Sequence, residues 1–422
     1  MTHHVRETCR LCGSRDLTKV LELPPTPLAN EFPTAPNVDQ EKFPLWLAAC
    51  DSCAHVQLPV VVDPERLFRD YVYVSGTSPV FRDHFKRYAD ELCADYWLKD
   101  RLVVEIGSND GTLLGYLKAN GTKVLGIEPA EKIAKAAMAD GIPSWPVFFT
   151  HDVADKIVAQ QGHASLVVAN NVFAHADDLT GIVRAVKRLL TPEGFFVFEV
   201  SYLPDVIRGT LFDTIYHEHL AFHTVAPLIP MFANQGMSLV EAKRVNTHGG
   251  SIRITVSAEA DFPPEASVQA LCLEEFEMGL TPGRGAVTRA TFGTLQQTIH
   301  ERRDELMRVL HGARMAGKRI AAYGAPAKAT TLLHTFGIEH GFFDFVVDDS
   351  PHKQGRYLPG TDIPVRPFAA IEERKPDMVV VLAWNFAESI LKKLTPFMEA
   401  GGICVVPLPH VVQHGIITDK GA

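Results

Sequence analysis

Long apolar runs are missing from this chain. The longest, such as Met378–Ala383, fall far short of the ~20 residues a helix needs to cross a bilayer, so no membrane-spanning helix is expected. Basic residues are in the minority: 41 Lys and Arg stand against 50 Asp and Glu, a formal net charge of −9. A broad nucleic-acid footprint needs a basic face, so neither nucleic acid nor membrane is expected as a partner. The opening MTHHVRETCR holds no apolar stretch of the kind that makes a secretory signal, and a cytoplasmic protein is expected. Cysteine is scarce and odd in number, seven in all. Without a secretory signal, an odd count argues against a disulfide framework.

What is present is a soluble globular composition, 46% hydrophobic and 22% charged. At 422 residues the chain exceeds one ordinary core and implies two or three domains. Four cysteines form two C-x-x-C knuckles, Cys9/Cys12 and Cys50/Cys53. Four thiolates at such spacing match a closed, tetrahedral structural zinc site, which would staple a first domain over residues 1–75. A redox C-x-x-C is the competing reading, and two matched pairs fit a metal better. Cys93, Cys272 and Cys404 are scattered and carry no motif.

The central stretch is Leu102–Leu114, LVVEIGSNDGTLL. An apolar run meeting Glu105, Gly107 and Gly111 reads as a strand, a tight turn and a helix start. Its spacing is not the G-x-G-x-x-G of dinucleotide folds. Alternating strand and helix patterns follow, as in a doubly wound parallel sheet. The second strand, Lys123–Ile127, ends at Glu128, placed to accept hydrogen bonds from ribose hydroxyls. Asn170 and Asn171 close a later strand, at the sheet end where ligands bind. E-x-G-x-x-x-G at a strand end resembles motif I of the class I S-adenosylmethionine (SAM) methyltransferases. SAM is therefore the expected cofactor and NAD the runner-up, with Glu105, Gly107, Asn109, Asp110, Gly111, Glu128, Asn170 and Asn171 as the cofactor-binding set. Upstream, Tyr71, Tyr73 and Ser75 would share one face of an extended segment, a hydroxyl-rich wall suited to a substrate or, equally, an aromatic linker.

Phe212–His223, FDTIYHEHLAFH, packs three histidines, a glutamate and a tyrosine into a dozen residues. These side chains move protons near neutral pH. H-E-H lacks the spacing of the H-E-x-x-H metal helix, so a second metal is not expected, and a satisfied structural network is the alternative. Here the resemblance sharpens. TIYHEH, the paired knuckles, EIGSNDGTLL, GIEPA, NVFAHADDL, THGGSIR and YGAPAKATTLL resemble, in order along the chain, the nucleotide-sugar C-3′-methyltransferases of antibiotic deoxysugar pathways.

That resemblance implies an α/β protein of three parts: a zinc-binding domain (1–75), a class I SAM-methyltransferase Rossmann-like domain (76–253) and a second, C-terminal Rossmann-like domain (254–422). It implies a dTDP-linked 4-keto-6-deoxysugar substrate and a monomer. By motif, His219 is the general base, Tyr216 supports the enolate oxygen or the base, Glu218 orients the imidazole and His175 lies near the substrate. Tyr71 or Tyr73 faces the sugar. Arg253 and Lys328 are expected at the diphosphate, since a phosphate wants cationic donors and a helix N-terminus. The rival readings are an O- or N-methyltransferase on the same scaffold, a zinc-ribbon RNA methyltransferase, and a sugar-nucleotide binding protein without SAM.

Overall fold

The computed structural model describes residues 2–71, 74–77, 79–247 and 249–415. Contacts divide the chain into two compact units of interleaved segments. The first takes Met1–Val20, Leu47–Pro204 and Glu218–Arg289, and the second takes Leu21–Trp46, Asp205–His217 and Ala290–Ala422. No helix among the described residues is long and apolar enough to cross a membrane.

The first unit is built on a seven-stranded sheet. Its spatial order is Ser238–Val245, Ser251–Ser257, Leu190–Ser201, Ala164–Asn170, Leu102–Ile106, Lys123–Ile127, Ser144–Trp145. The last five run parallel, and Ser251–Ser257 is antiparallel to both of its neighbours. Strands covered by helices on both faces read as continuous apolar runs, and Leu102–Ile106 is buried at every position. Helices Thr112–Ala119, Glu131–Ala139, His151–Gln161 and Leu179–Leu189 alternate with these strands. The doubly wound expectation therefore holds, and the carboxyl ends of the parallel strands carry Gly107, Glu128, Asn170 and Asn171 to one edge.

Cross-strand register explains a residue that the sequence misplaces. Arg253 stands directly opposite Glu199. Its Nε donates to Glu199 Oε1 at 2.7 Å and its Nη1 to Glu91 Oε2 at 2.6 Å. The guanidinium carbon lies 3.7 Å from the centroid of the Tyr88 ring. His84 Nε2 pairs with the other Glu199 oxygen at 2.9 Å. Buried and fully engaged, Arg253 has no face left for a diphosphate, so it is corrected from a substrate contact to a tie between the sheet and helix Pro79–Tyr96. Removing one partner of a buried ion pair strands the other charge. Arg253→Met should therefore cost about 3–5 kcal/mol in urea unfolding of the full chain, and a loss under 1 kcal/mol would count against this role.

The second unit holds a six-stranded sheet in the order Val365–Arg366, Val346–Val347, Ile320–Tyr323, Met378–Val381, Ile403–Val406, Val412–His414. All pairs are parallel except the last. This is a second Rossmann-like sheet, as expected. Helix Ala327–Phe336 follows directly from Pro326, and Ala327 and Lys328 are good helix formers.

Candidate active site

The four knuckle cysteines converge. Backbone bonds close each knuckle, Gly13 N to Cys9 O at 3.0 Å and Ala54 N to Cys50 O at 2.8 Å. The sulfurs lie 3.5 Å apart for Cys9/Cys53 and 3.6 Å for Cys12/Cys50, and all four fall within 4.8 Å of one another. Zinc–sulfur bonds of about 2.3 Å in a tetrahedron put sulfurs roughly 3.8 Å apart, so the set fits zinc. Hydrogen bonding to Cys53 pulls the Cys50 thiol far down, while hydrogen bonding to Cys50 pushes Cys53 far up. All four sulfurs ionise together only around a cation.

At the sheet edge the glycine turn is held from below. Gly107 N donates to Ile127 O at 2.7 Å. Gly107 adopts φ +66°, and a Cβ there would come within 2.3 Å of Val172 Cγ2, so the position requires glycine. Glu128 Oε2 accepts from Asn109 N at 2.9 Å and Oε1 from Ala130 N at 2.8 Å. A carboxylate offers about four lone-pair sites, so two remain for a ligand hydroxyl. Asp110 holds the first residue of the next helix: Oδ1 accepts from Thr112 N at 3.2 Å and from Thr112 Oγ1 at 2.6 Å. Gly111 leads into the same helix at φ +75°. Asn171, at φ +55°, donates its N–H to Glu199 O at 2.7 Å.

Glu105 is one of the unsatisfied groups here, with Ser108 Oγ and Asn170 Oδ1. Its Oε1 accepts from Asn170 Nδ2 at 3.1 Å, whereas Oε2 is buried without a partner. An orphan carboxylate oxygen beside a glycine turn fits a cofactor that carries an ammonium and a sulfonium. Burial pushes the Glu105 carboxyl up to about 8. A group protonated in the fold but ionised when unfolded stabilises the fold below its unfolded pKa, and that stability is lost as pH rises through its folded one. In the cofactor-free protein, Glu105→Gln should therefore gain stability over wild type between about pH 5 and pH 8, with the gap widening as pH rises. A pH-independent difference in thermal unfolding would sink this.

The candidate residues of the Phe212–His223 stretch fall in different units. In the first, Leu220 N and Ala221 N both donate to Ala174 O, at 2.8 and 3.1 Å, which brings the His219 segment to His175. The two imidazoles stack at 5.1 Å, and Phe68 also stacks on His175, at 5.6 Å. Burial and the neighbouring His219 hold His175 well below the usual imidazole range, and its Nε2 has no partner. Tyr71 Oη donates to Glu218 Oε2 at 3.0 Å. Ser75 lies in a 3-10 turn, not an extended segment. Its N–H donates to Asn109 Oδ1 at 3.0 Å and that of Gly76 to Asp110 Oδ2 at 2.8 Å, so this turn is docked on the cofactor loop. Tyr73 lies outside the described residues.

Tyr216 and His217 belong to the second unit, where His217 Nε2 pairs with Pro44 O at 3.1 Å. Lys328 is there too. Its Nζ sits 4.1 Å from the Trp384 ring centroid, the residue is 8% exposed, and Asp213 is the charge that faces it. An ammonium so enclosed presents nothing to a diphosphate, so this expectation is also corrected. Phe68, Asp213 and Trp384 were missed by sequence reasoning. Asp213 was in plain view inside the FDTIYHEH stretch, but its partners are more than a hundred residues away.

Comparison with known proteins agrees with this architecture. Family models match a methyltransferase zinc binding domain at residues 9–68, a methyltransferase domain at 81–242 and a C-methyltransferase C-terminal domain at 246–409. The C-methyltransferase NovU of Streptomyces niveus is 33% identical over 408 residues, 96% of either chain. An uncharacterized methyltransferase of Bacillus pumilus is 29% identical over 127 residues, 30% of this chain and 58% of its own. Among solved structures, the SAM-bound magnesium protoporphyrin IX methyltransferase of Synechocystis is 16% identical, covering 42% of this chain and 78% of that one, with a TM-score of 0.32. The methyltransferase matches and the donor sets above make SAM the cofactor and zinc the structural metal, and the chain belongs to the SAM-dependent C-methyltransferase family.

Proposed function

We propose that this enzyme methylates C3 of a dTDP-linked 4-keto-6-deoxysugar, as a step in deoxysugar and antibiotic biosynthesis. The observation that carries the reading is the stack of His219 on half-buried His175, together with the Tyr71–Glu218 pair, within the unit that holds the cofactor loop. A ketone at C4 acidifies the hydrogen on C3. His219 takes that proton, and its stacking on a neutral neighbour fixes the imidazole plane. Glu218, held by Tyr71, orients the base, as a supporting carboxylate commonly does. Tyr216 donates to the developing enolate oxygen. Glu105 and Glu128 anchor the cofactor, which supplies an electrophilic methyl group to the carbanionic C3. The catalytic side chains thus have only to create the nucleophile and aim it.

On this reading the chain works as a monomer in the cytoplasm, in three parts: 1–75 for zinc, 76–253 for SAM and 254–422 on the substrate side. O- or N-methylation is the second reading, since the same scaffold needs only one base for it. The test is incubation with SAM and dTDP-4-keto-6-deoxysugars, followed by mass spectrometry and carbon-detected NMR of the product. A single methyl on C3 supports the proposal. A methyl on oxygen, on nitrogen or on another carbon overturns it.

A further inference from the structure

Three of the four residues just before Tyr216 are individually anchored in the second unit. Phe212 packs its ring on Phe336, with centroids 5.2 Å apart. Ile215 O accepts from Thr331 Oγ1 at 2.8 Å. Between them Asp213, fully buried in the turn Phe212–Thr214, accepts from Trp384 Nε1 at 2.6 Å through Oδ2. Its Oδ1 is buried without a hydrogen bond, as is Lys328 Nζ above the Trp384 ring.

A buried carboxylate and ammonium are an expensive way to hold a turn. Apolar side chains of similar volume would hold it at least as firmly, whereas a charge pair with one directed hydrogen bond restricts it to one orientation. Burial raises Asp213 to about 6 and lowers Lys328 to about 8, and each charge works against the shift of the other.

We propose that Asp213 is a positioning residue, which through Trp384 and Lys328 sets the direction in which the chain enters Tyr216. The inference rests on the reading of Tyr216 as the group that supports the enolate. It assigns the C-terminal sheet a role in the reaction itself: the turn Trp384–Phe386 and helix Ala327–Phe336 hold the base of the catalytic stretch.

The experiment uses the full zinc-loaded chain carrying 3-fluorotyrosine, with the Tyr216 resonance assigned by its loss in Tyr216→Phe. In Asp213→Ala the Tyr216 fluorine line should shift or broaden. Turnover should fall about 100-fold, the size expected for a misplacement of roughly 1 Å, with SAM affinity within twofold of wild type. Asp213→Asn keeps an acceptor for Trp384 and should recover most of the loss. Trp384→Phe removes the same hydrogen bond from its other end. It should reproduce the defect, and it carries the test if Asp213→Ala does not fold. Lys328→Met should lower turnover with KM for the nucleotide sugar unchanged; a raised KM alone would return Lys328 to the diphosphate and overturn the proposal. So would an unmoved Tyr216 line in folded Asp213→Ala or Trp384→Phe, or turnover within twofold of wild type, since a merely structural contact lowers stability and leaves the folded line in place. The fluorine measurement needs no substrate. A wild-type enzyme that fails on keto-sugars would therefore sink the proposed function while leaving the anchor to be decided on its own.

Discussion

His219→Ala should bind SAM as wild type does and lose methyl transfer by about 10²–10⁴-fold, the usual worth of a positioned proton acceptor. The asymmetry follows from where the ring sits. His219 and His175 are both half-buried and stack on one another, with Phe68 also stacked on His175. His175 is the poorer base, because its buried Nε2 and the neighbouring His219 disfavour the charged form. The cofactor loop is tied instead to Glu128 and to the strand Lys123–Ile127. Calorimetry with SAM and single-turnover methyl transfer together check the prediction. A variant that turns over at the wild-type rate would remove His219 from the mechanism, and one that loses SAM as well would make it structural.

Stripping zinc should do damage far from the metal. Structural zinc contributes on the order of 10–16 kcal/mol of binding free energy to the domain it closes. The knuckle cysteines Cys9, Cys50 and Cys53 are buried. Cys50 ends the strand Phe43–Cys50, whose Ala48 and Ala49 pair with Gln57 and Val56. Gln57 and Val56 pair in turn with Ala221 and Phe222, two residues beyond His219. Chelation or Cys50→Ser should therefore lower the melting temperature of the first unit by about 2–4 °C for each kcal/mol lost. Turnover should fall in step, although no step of the chemistry uses the metal. Metal analysis beside calorimetry and activity decides it: a zinc-free protein with unchanged melting and turnover would refute the staple.

What was legible in the sequence was local. Leu102–Ile106, the glycines after it and Glu128 form a grammar of strand, turn and acid that needs no distant partner, and the knuckles announce themselves by spacing. Arg253 and Lys328 failed as diphosphate contacts for the opposite reason. A cation beside a motif looks available until the strand register puts Glu199 across from one and the fold puts Asp213 and Trp384 against the other. Ser75 failed because a 3-10 turn and an extended run share the same polar alternation when read without neighbours. The Tyr71–Glu218 bond spans 147 positions, and no periodicity encodes that.

The turn around Gly76 sets a limit on how this enzyme can be re-engineered. A Cβ at that position would come 2.5 Å from Asp110 Oδ2 and 2.7 Å from Thr112 Oγ1. Asp110 cannot swing aside without giving up its hydrogen bonds to Thr112 N and Oγ1 at the start of helix Thr112–Ala119. Libraries aimed at new acceptors will naturally randomise the segment after Tyr71, the residue bonded to Glu218. At position 76 such a library should favour glycine.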